Sequence, residues 1–146
     1  MAVFCLGICF GQSSDEVPEP SAIIHLTKED FLKKVADYQS NREWKYLGDK
    51  PALIDFYADW CGPCKKMEPI LEELAAQYNG QIYIYKVDTE KEKEVAAFFR
   101  IQSIPYMLFI PQEGQPQQMI GSAPKFYVEK VIQDILLKQQ VNDTME

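Results

Sequence analysis

Two thiols carry the strongest chemical signal in the chain: Cys61 and Cys64, in the segment Trp60-Cys61-Gly62-Pro63-Cys64. They stand where an apolar run, Ala52 to Ala58, gives way to a helical pattern, and a strand feeding a helix leaves unpaired backbone N–H groups at the helix N-terminus. Those dipoles favour an anion, so a thiol at this junction should ionise readily. Cys61 is the expected nucleophile. Cys64, one turn further on, is shielded yet within reach of a mixed disulfide formed on Cys61, which makes it the expected resolving thiol. Gly62 permits close approach by another chain, and Pro63 fits a first helical turn, where its missing N–H would be unpaired anyway. A link this stiff holds the sulfurs at bonding distance, so Cys61–Cys64 is the expected disulfide.

Asp55 interrupts the otherwise apolar run from Ala52 to Ala58. A carboxylate buried there is penalised when ionised, which should raise its pKa and suit it to accept the proton that Cys64 must lose during resolution. The alternative is an edge strand with Asp55 facing water. Lys86, in the run Ile82 to Val87, either lies alongside Asp55 and tunes it or snorkels from a strand end. Other uses of a C-x-x-C pair fit less well. A closed zinc site needs two further ligands, and only Cys5, Cys9 and the lone His25 remain. A structural disulfide closing so short a loop constrains the unfolded chain little. Neither a metal nor a bound cofactor is expected.

The elements around these residues follow from apolar spacing and local stop signals. Ala22 to Leu26 reads as a short strand, and Thr27 with Asp30 as a capping box opening a helix with Phe31, Leu32, Val35 and Tyr38 on one face. A polar stretch, Gln39 to Lys50, carries Trp44 and Tyr46; these read as packing anchors for a long loop, with partner contact as the lesser alternative. After Cys64, the residues Met67, Ile70, Leu71, Leu74, Ala75 and Tyr78 recur at helical spacing up to Asn79-Gly80, with Pro69 expected to bend the helix. Ile82 to Val87 is a second buried strand. Thr89 with Glu92 is expected to cap a helix bearing Val95, Phe98 and Phe99. Tyr106 to Ile110 and Gln117 to Gly121 form a hairpin across the turn Pro111 to Pro116, and a last helix starts near Pro124 with Val128, Val131, Ile132, Ile135 and Leu136 inward. The order is β-α-β-α-β-α-β-β-α, an α/β pattern whose helices can cover both faces of a mixed sheet.

A length of 146 residues suits one domain with its own core. The net charge of −7, without a basic run, repels phosphate backbones, so nucleic acid is not an expected partner. Residues 1–11, MAVFCLGICFG, are mostly apolar, carry no charged side chain, and in Cys9-Phe10-Gly11 offer small residues at the positions a signal peptidase reads before Gln12, which reads as a secretory signal despite lacking Lys or Arg; a disordered or loosely packed apolar tail is the alternative. The run is too short to span a bilayer, so no stable membrane insertion of the mature chain is expected. Residues 12–21 are polar, acidic and proline-containing and read as a flexible lead-in, 22–139 as the domain, and 140–146 as a frayed tail. Export to the periplasm or beyond is the expected location, with the cytoplasm as the alternative.

The run Asp55-Phe56-Tyr57-Ala58-Asp59-Trp60-Cys61-Gly62-Pro63-Cys64-Lys65 resembles the active-site segment of the thioredoxin family almost residue for residue. Lys86-Val87-Asp88 resembles that family's third-strand segment, and Ile101-Gln102-Ser103-Ile104-Pro105 its cis-proline loop. Gly121 stands where a glycine of its substrate groove is expected. The resemblance spans about residues 22–139 and implies a thioredoxin fold, with a central mixed sheet of about five strands flanked by about four helices. It also implies that Pro105 is cis and faces the cysteines, and that Trp60, Gly62, Pro63, Ile104, Pro105, Ile120 and Gly121 form a docking surface for an extended partner chain. Tyr106, the long loop and the leader depart from the common pattern, and the combination looks similar to exported bacterial members.

The expected function is therefore a thiol:disulfide oxidoreductase that reduces protein disulfides through Cys61 and Cys64 without a cofactor. It would act as a monomer and be re-reduced by an upstream protein electron donor. The alternatives are a thiol oxidase or isomerase, for which the Gly-Pro linker is atypical, and a redox-switched binding module.

Overall fold

The run Ala52–Tyr57 forms a strand through the middle of the molecule, and the rest of the fold is arranged on its two faces. The computed structural model describes residues 23–138. Its elements are β1 (Ile24–His25), α1 (Lys28–Lys34), β2 (Ala52–Tyr57), α2 (Gly62–Gln77), β3 (Tyr83–Asp88), α3 (Lys93–Phe98), β4 (Tyr106–Ile110), β5 (Gln117–Ile120) and α4 (Lys125–Val131), which continues as a π-helical stretch, Ile132–Leu137. The five strands form one sheet in the order β1-β3-β2-β4-β5. β1, β3 and β2 run parallel, whereas β4 is antiparallel to β2 and β5 to β4. This is the thioredoxin fold, a mixed sheet with helices on both faces, as the sequence implied. The expected leader, the lead-in, the tail and the outermost domain residues 22 and 139 lie outside the described residues.

Side chains alternate across β2, so the sheet builds two cores. Ala52, Ile54 and Phe56 pack with Phe31 and Val35 of the α1 segment and Val95 of α3. Leu53 packs on the other side with Met67, Leu71 and Leu74 of α2 and with Val128, Ile132 and Leu136 from α4 and its continuation. Asp55 shares the parity of Leu53 and therefore belongs to the α2 side. The near-continuous apolar composition of β2 is what a strand covered on both faces requires.

Local signals account for most boundaries. Thr27 accepts the Asp30 N–H while the Asp30 carboxylate accepts the Thr27 N–H, completing the expected capping box. Helix α1 stops at Lys34, however, so Tyr38 packs by stacking on Phe98, with ring centroids 4.4 Å apart, and not from a helical face. Trp44 and Tyr46 do anchor the long loop: both pack against the core, and the Tyr46 hydroxyl donates to the Lys50 carbonyl. Helix α2 runs through Pro69 as one element and ends at Tyr78, with Gly80 in the left-handed region at φ 81°.

The cap expected at Thr89 does not form. Helix α3 begins later, at Lys93, with Glu92 in the capping position and no side-chain cap bond. The Thr89 hydroxyl and N–H both donate to the Tyr57 carbonyl, which extends the β2–β3 pairing, and the Glu92 carboxylate instead accepts the Lys28 N–H at the start of α1.

Candidate active site

Helix α2 starts directly off the C-terminal end of β2, and Cys61 occupies its N-cap. The Cys61 Sγ accepts the Cys64 N–H at 3.2 Å, which uses one of the helix's first unpaired donors on sulfur. That contact and the helix dipole both stabilise negative charge on Cys61, the requirement for a thiolate nucleophile. Cys61 and Cys64 are joined as a disulfide with Cα atoms 5.3 Å apart, and both residues are buried. Gly62 and Pro63, between them, are exposed.

A second segment meets the sulfurs from across the sheet. The Ile104–Pro105 peptide bond is cis, as the family resemblance implied, and the Ile104 carbonyl oxygen lies 3.8 Å from the Cys61 Sγ. The Pro105 carbonyl accepts the Gly121 N–H at 2.8 Å, tying the end of β5 to this loop, and Gly121 has a φ of 92° that other residues adopt only with strain. Trp60 is 71% exposed and Ile120 56%, values that mark uncovered apolar side chains on either side of the turn. The Trp60 indole N–H donates to Glu90. Trp60, Gly62, Pro63, Ile104, Pro105, Ile120 and Gly121 thus come from three segments of sequence, linked through the middle one by Cys61 with Ile104 on one side and by Pro105 with Gly121 on the other.

Asp55 is fully buried, and neither carboxylate oxygen has a hydrogen-bond partner. Burial pushes its pKa up to about 7; a nearby Lys86 lowers it and Glu68 raises it. The edge-strand alternative is thereby excluded, because β2 lies between β3 and β4. Lys86 is the direct neighbour of Asp55 in the parallel β2–β3 register. Its ammonium nevertheless pairs with Glu68 at 3.5 Å and sits 4.2 Å from the centre of the Tyr57 ring. Lys86 thus keeps its stem buried beside Asp55 and directs its ammonium to the half-exposed Glu68, with no hydrogen bond to either Asp55 oxygen.

Glu68 was not evident as a site residue from the sequence, where it is an exposed glutamate among several. The available signal was its spacing: four residues after Cys64, it lies on the same helical face one turn along. Among the described residues, no three His, Cys, Asp or Glu side chains gather as metal ligands.

Comparison with known proteins agrees with this geometry. The family model described as Thioredoxin matches residues 22–134. The chain is 48% identical over 111 residues to the thioredoxin of Borreliella burgdorferi, covering 76% of this chain and 95% of that one. It is 38% identical over 112 residues to the thioredoxin of Staphylococcus aureus, covering 76% and 95% respectively. Among solved structures, a crystal structure of chloroplastic thioredoxin z superposes with a TM-score of 0.65 at 23% identity, over 77% of this chain and 93% of that one, a likeness of fold.

The unpartnered carboxyl gives a prediction about stability. The Asp55 pKa is raised on folding from 3.8 to about 7, so the contribution of this group to stability is full below pH 4 and is lost as the pH rises from 4 through 7, the range in which the unfolded chain ionises there and the folded one resists. At ~1.4 kcal/mol per pH unit the full cost is roughly 4 kcal/mol. Asp55→Asn should therefore be more stable than the parent at pH 8 by an amount of that order, with the gain vanishing near pH 4. Urea denaturation at the two pH values checks it; an equal effect at both would contradict the account.

Proposed function

This chain belongs to the thioredoxin family, and on that premise we propose that its dithiol–disulfide exchange runs in the reducing direction on the disulfides of exported proteins. Family membership makes it a protein-disulfide oxidoreductase acting on disulfide-containing proteins. The direction, the residue roles and the compartment are our reading. The observation that supports it most is the environment of the Cys61 sulfur, which takes a helix N-terminal N–H on one side and faces the cis-proline loop on the other.

In the first step the Cys61 thiolate attacks one sulfur of a partner's disulfide. That bond breaks, a mixed disulfide forms on Cys61, and the partner's other sulfur leaves as a thiolate that takes up a proton from water. In the second step Cys64 passes its proton to the Asp55 carboxylate, directly or through one water, and the new thiolate attacks Cys61 Sγ. The partner's second sulfur leaves as a thiolate that takes up a proton from water, Asp55 returns its proton to solvent, and the two electrons have passed from the Cys61–Cys64 dithiol to the partner. An acceptor with a pKa near 7 is well matched to this transfer at neutral pH. An upstream protein donor then restores the dithiol, and the chain works as a monomer.

The docking surface is assigned to Trp60, Gly62, Pro63, Ile104, Pro105, Ile120 and Gly121. An extended partner chain fits such a surface because backbone beside the cis-proline can pair with it while apolar side chains cover Trp60 and Ile120. The Gly-Pro linker, with no histidine between the cysteines, favours a reductant over an oxidase or isomerase. The charge-free apolar segment 1–11 supports export to the periplasm or beyond.

Replacing Cys64 with Ser should leave the first step intact and trap partners as mixed disulfides on Cys61, visible as reductant-sensitive adducts on gels. Replacing Cys61 with Ser should give none. A non-enzymatic clamp would bind its partners equally in both variants. Asp55→Asn should slow the resolving step by roughly 10²-fold at pH 7 in stopped-flow reduction of a disulfide substrate. For the compartment, mass spectrometry of the expressed chain should find a new N-terminus near Gln12 in the exported fraction; an unprocessed chain confined to the cytoplasm would overturn that assignment.

A further inference from the structure

Among the described residues, the cation beside the buried carboxyl is Lys86, and it is committed elsewhere. Lys86 and Asp55 are paired neighbours in the β2–β3 register, so the lysine stem begins beside the carboxyl. Its four-carbon chain has the freedom to turn the ammonium inward to Asp55 or outward. The ammonium is found outward, 3.5 Å from the Glu68 carboxylate and over the Tyr57 ring, while both Asp55 oxygens stay unpartnered.

The surroundings leave few other influences. From β3 the charged group facing Asp55 is Lys86, and from α2 it is Glu68, with the disulfide-bonded Cys64 in the first turn of the same helix. On β4 the residue opposite Asp55 is Met107. The residues that α4 and its π-helical continuation bring to this core, Val128, Ile132 and Leu136, are uncharged. The Glu68 side chain is half exposed, so it offers the ammonium an anion near solvent, where an ion pair forms with less desolvation than one made inside.

We propose that Glu68 is a positioning residue that holds the Lys86 ammonium outward, off the Asp55 carboxyl, and so leaves that carboxyl free to take the Cys64 proton. An ammonium turned inward would pair with Asp55 in a low-dielectric setting and fix it as an anion with little affinity for a proton. Glu68 thus sets the proton affinity of Asp55 through Lys86 without touching the sulfurs. The inference rests on Asp55 being the acceptor in the resolving step.

The test is an NMR titration of the Asp55 carboxyl carbon in the full chain with the Cys61–Cys64 disulfide intact, which needs no substrate and no turnover. Glu68→Gln should lower the Asp55 midpoint by about one pH unit, as expected when an opposite charge moves to within ~4–6 Å of a carboxylate. Glu68→Asp should keep most of the parent value. In a Lys86→Met background the same Glu68→Gln change should shift the midpoint by less than about half as much, since the cation it acts through is gone. An unmoved midpoint in Glu68→Gln, or an equal fall with and without Lys86, would overturn the proposal. Failure of the reductase reading looks different: a chain whose Asp55 titrates as described but whose Cys64→Ser variant traps no partner would sink that reading and leave the placement of Lys86 standing.

Discussion

A helix that begins where a buried central strand ends is the constraint on which the rest of this molecule depends. The strand β2 fixes the position of the α2 N-terminus, and the helix supplies N–H groups without partners in its own first turn. Cys61 meets that need with sulfur, so the contact that caps the helix also favours negative charge on that sulfur. The cis-proline loop must then come close to the same sulfur, which it does because β4 pairs antiparallel with β2 and starts one residue after Pro105. The tie from Gly121 to Pro105 brings the end of β5 into the same place. The meeting of the disulfide, the cis-proline loop and Gly121 is therefore a consequence of one sheet register.

The same strand carries the least comfortable group in the protein. Asp55 is buried without a hydrogen-bond partner in a region otherwise built from apolar side chains, an arrangement that costs stability whenever the group ionises. Filling the position with an apolar residue would be the stable choice. A carboxyl poised near neutrality is the kind of group a proton-transfer step uses, and on the reading proposed above the Cys64 proton is the one it takes. The neighbouring lysine sharpens the point, since its ammonium is engaged by Glu68 and the Tyr57 ring and not by the nearest buried anion.

Much of this was legible in the chain itself, and the exceptions share a cause. The Thr27 capping box, the hairpin of β4 and β5, and the anchoring of the long loop by Trp44 and Tyr46 depend on residues near one another in sequence or on plain burial, and they read correctly. The buried position of Asp55 was readable because apolar residues flank it on both sides. Thr89 misled because its hydroxyl finds the Tyr57 carbonyl on another strand before it can cap a helix, and Glu92 is drawn to Lys28 across the fold. Tyr38 leaves its helix to stack on Phe98, sixty residues away. Glu68 has no local mark beyond its spacing from Cys64; its partner is a lysine on β3 that only the folded sheet brings near. The π-helical turn after α4 likewise has no signature in its apolar spacing. Local chemistry reads from sequence, and partners supplied across the sheet do not.

The central claim is that the Cys61–Cys64 couple is a reductant, and its reduction potential tests this most directly. The chain would be equilibrated in glutathione buffers of graded ratio, quenched by alkylation, and the fraction oxidised read by mass on the peptide that carries both cysteines. A potential tens of millivolts or more below the glutathione couple is the predicted result, each 30 mV corresponding to about 1.4 kcal/mol in favour of the disulfide. A potential at or above that couple would contradict the account and assign the pair to oxidation or isomerisation.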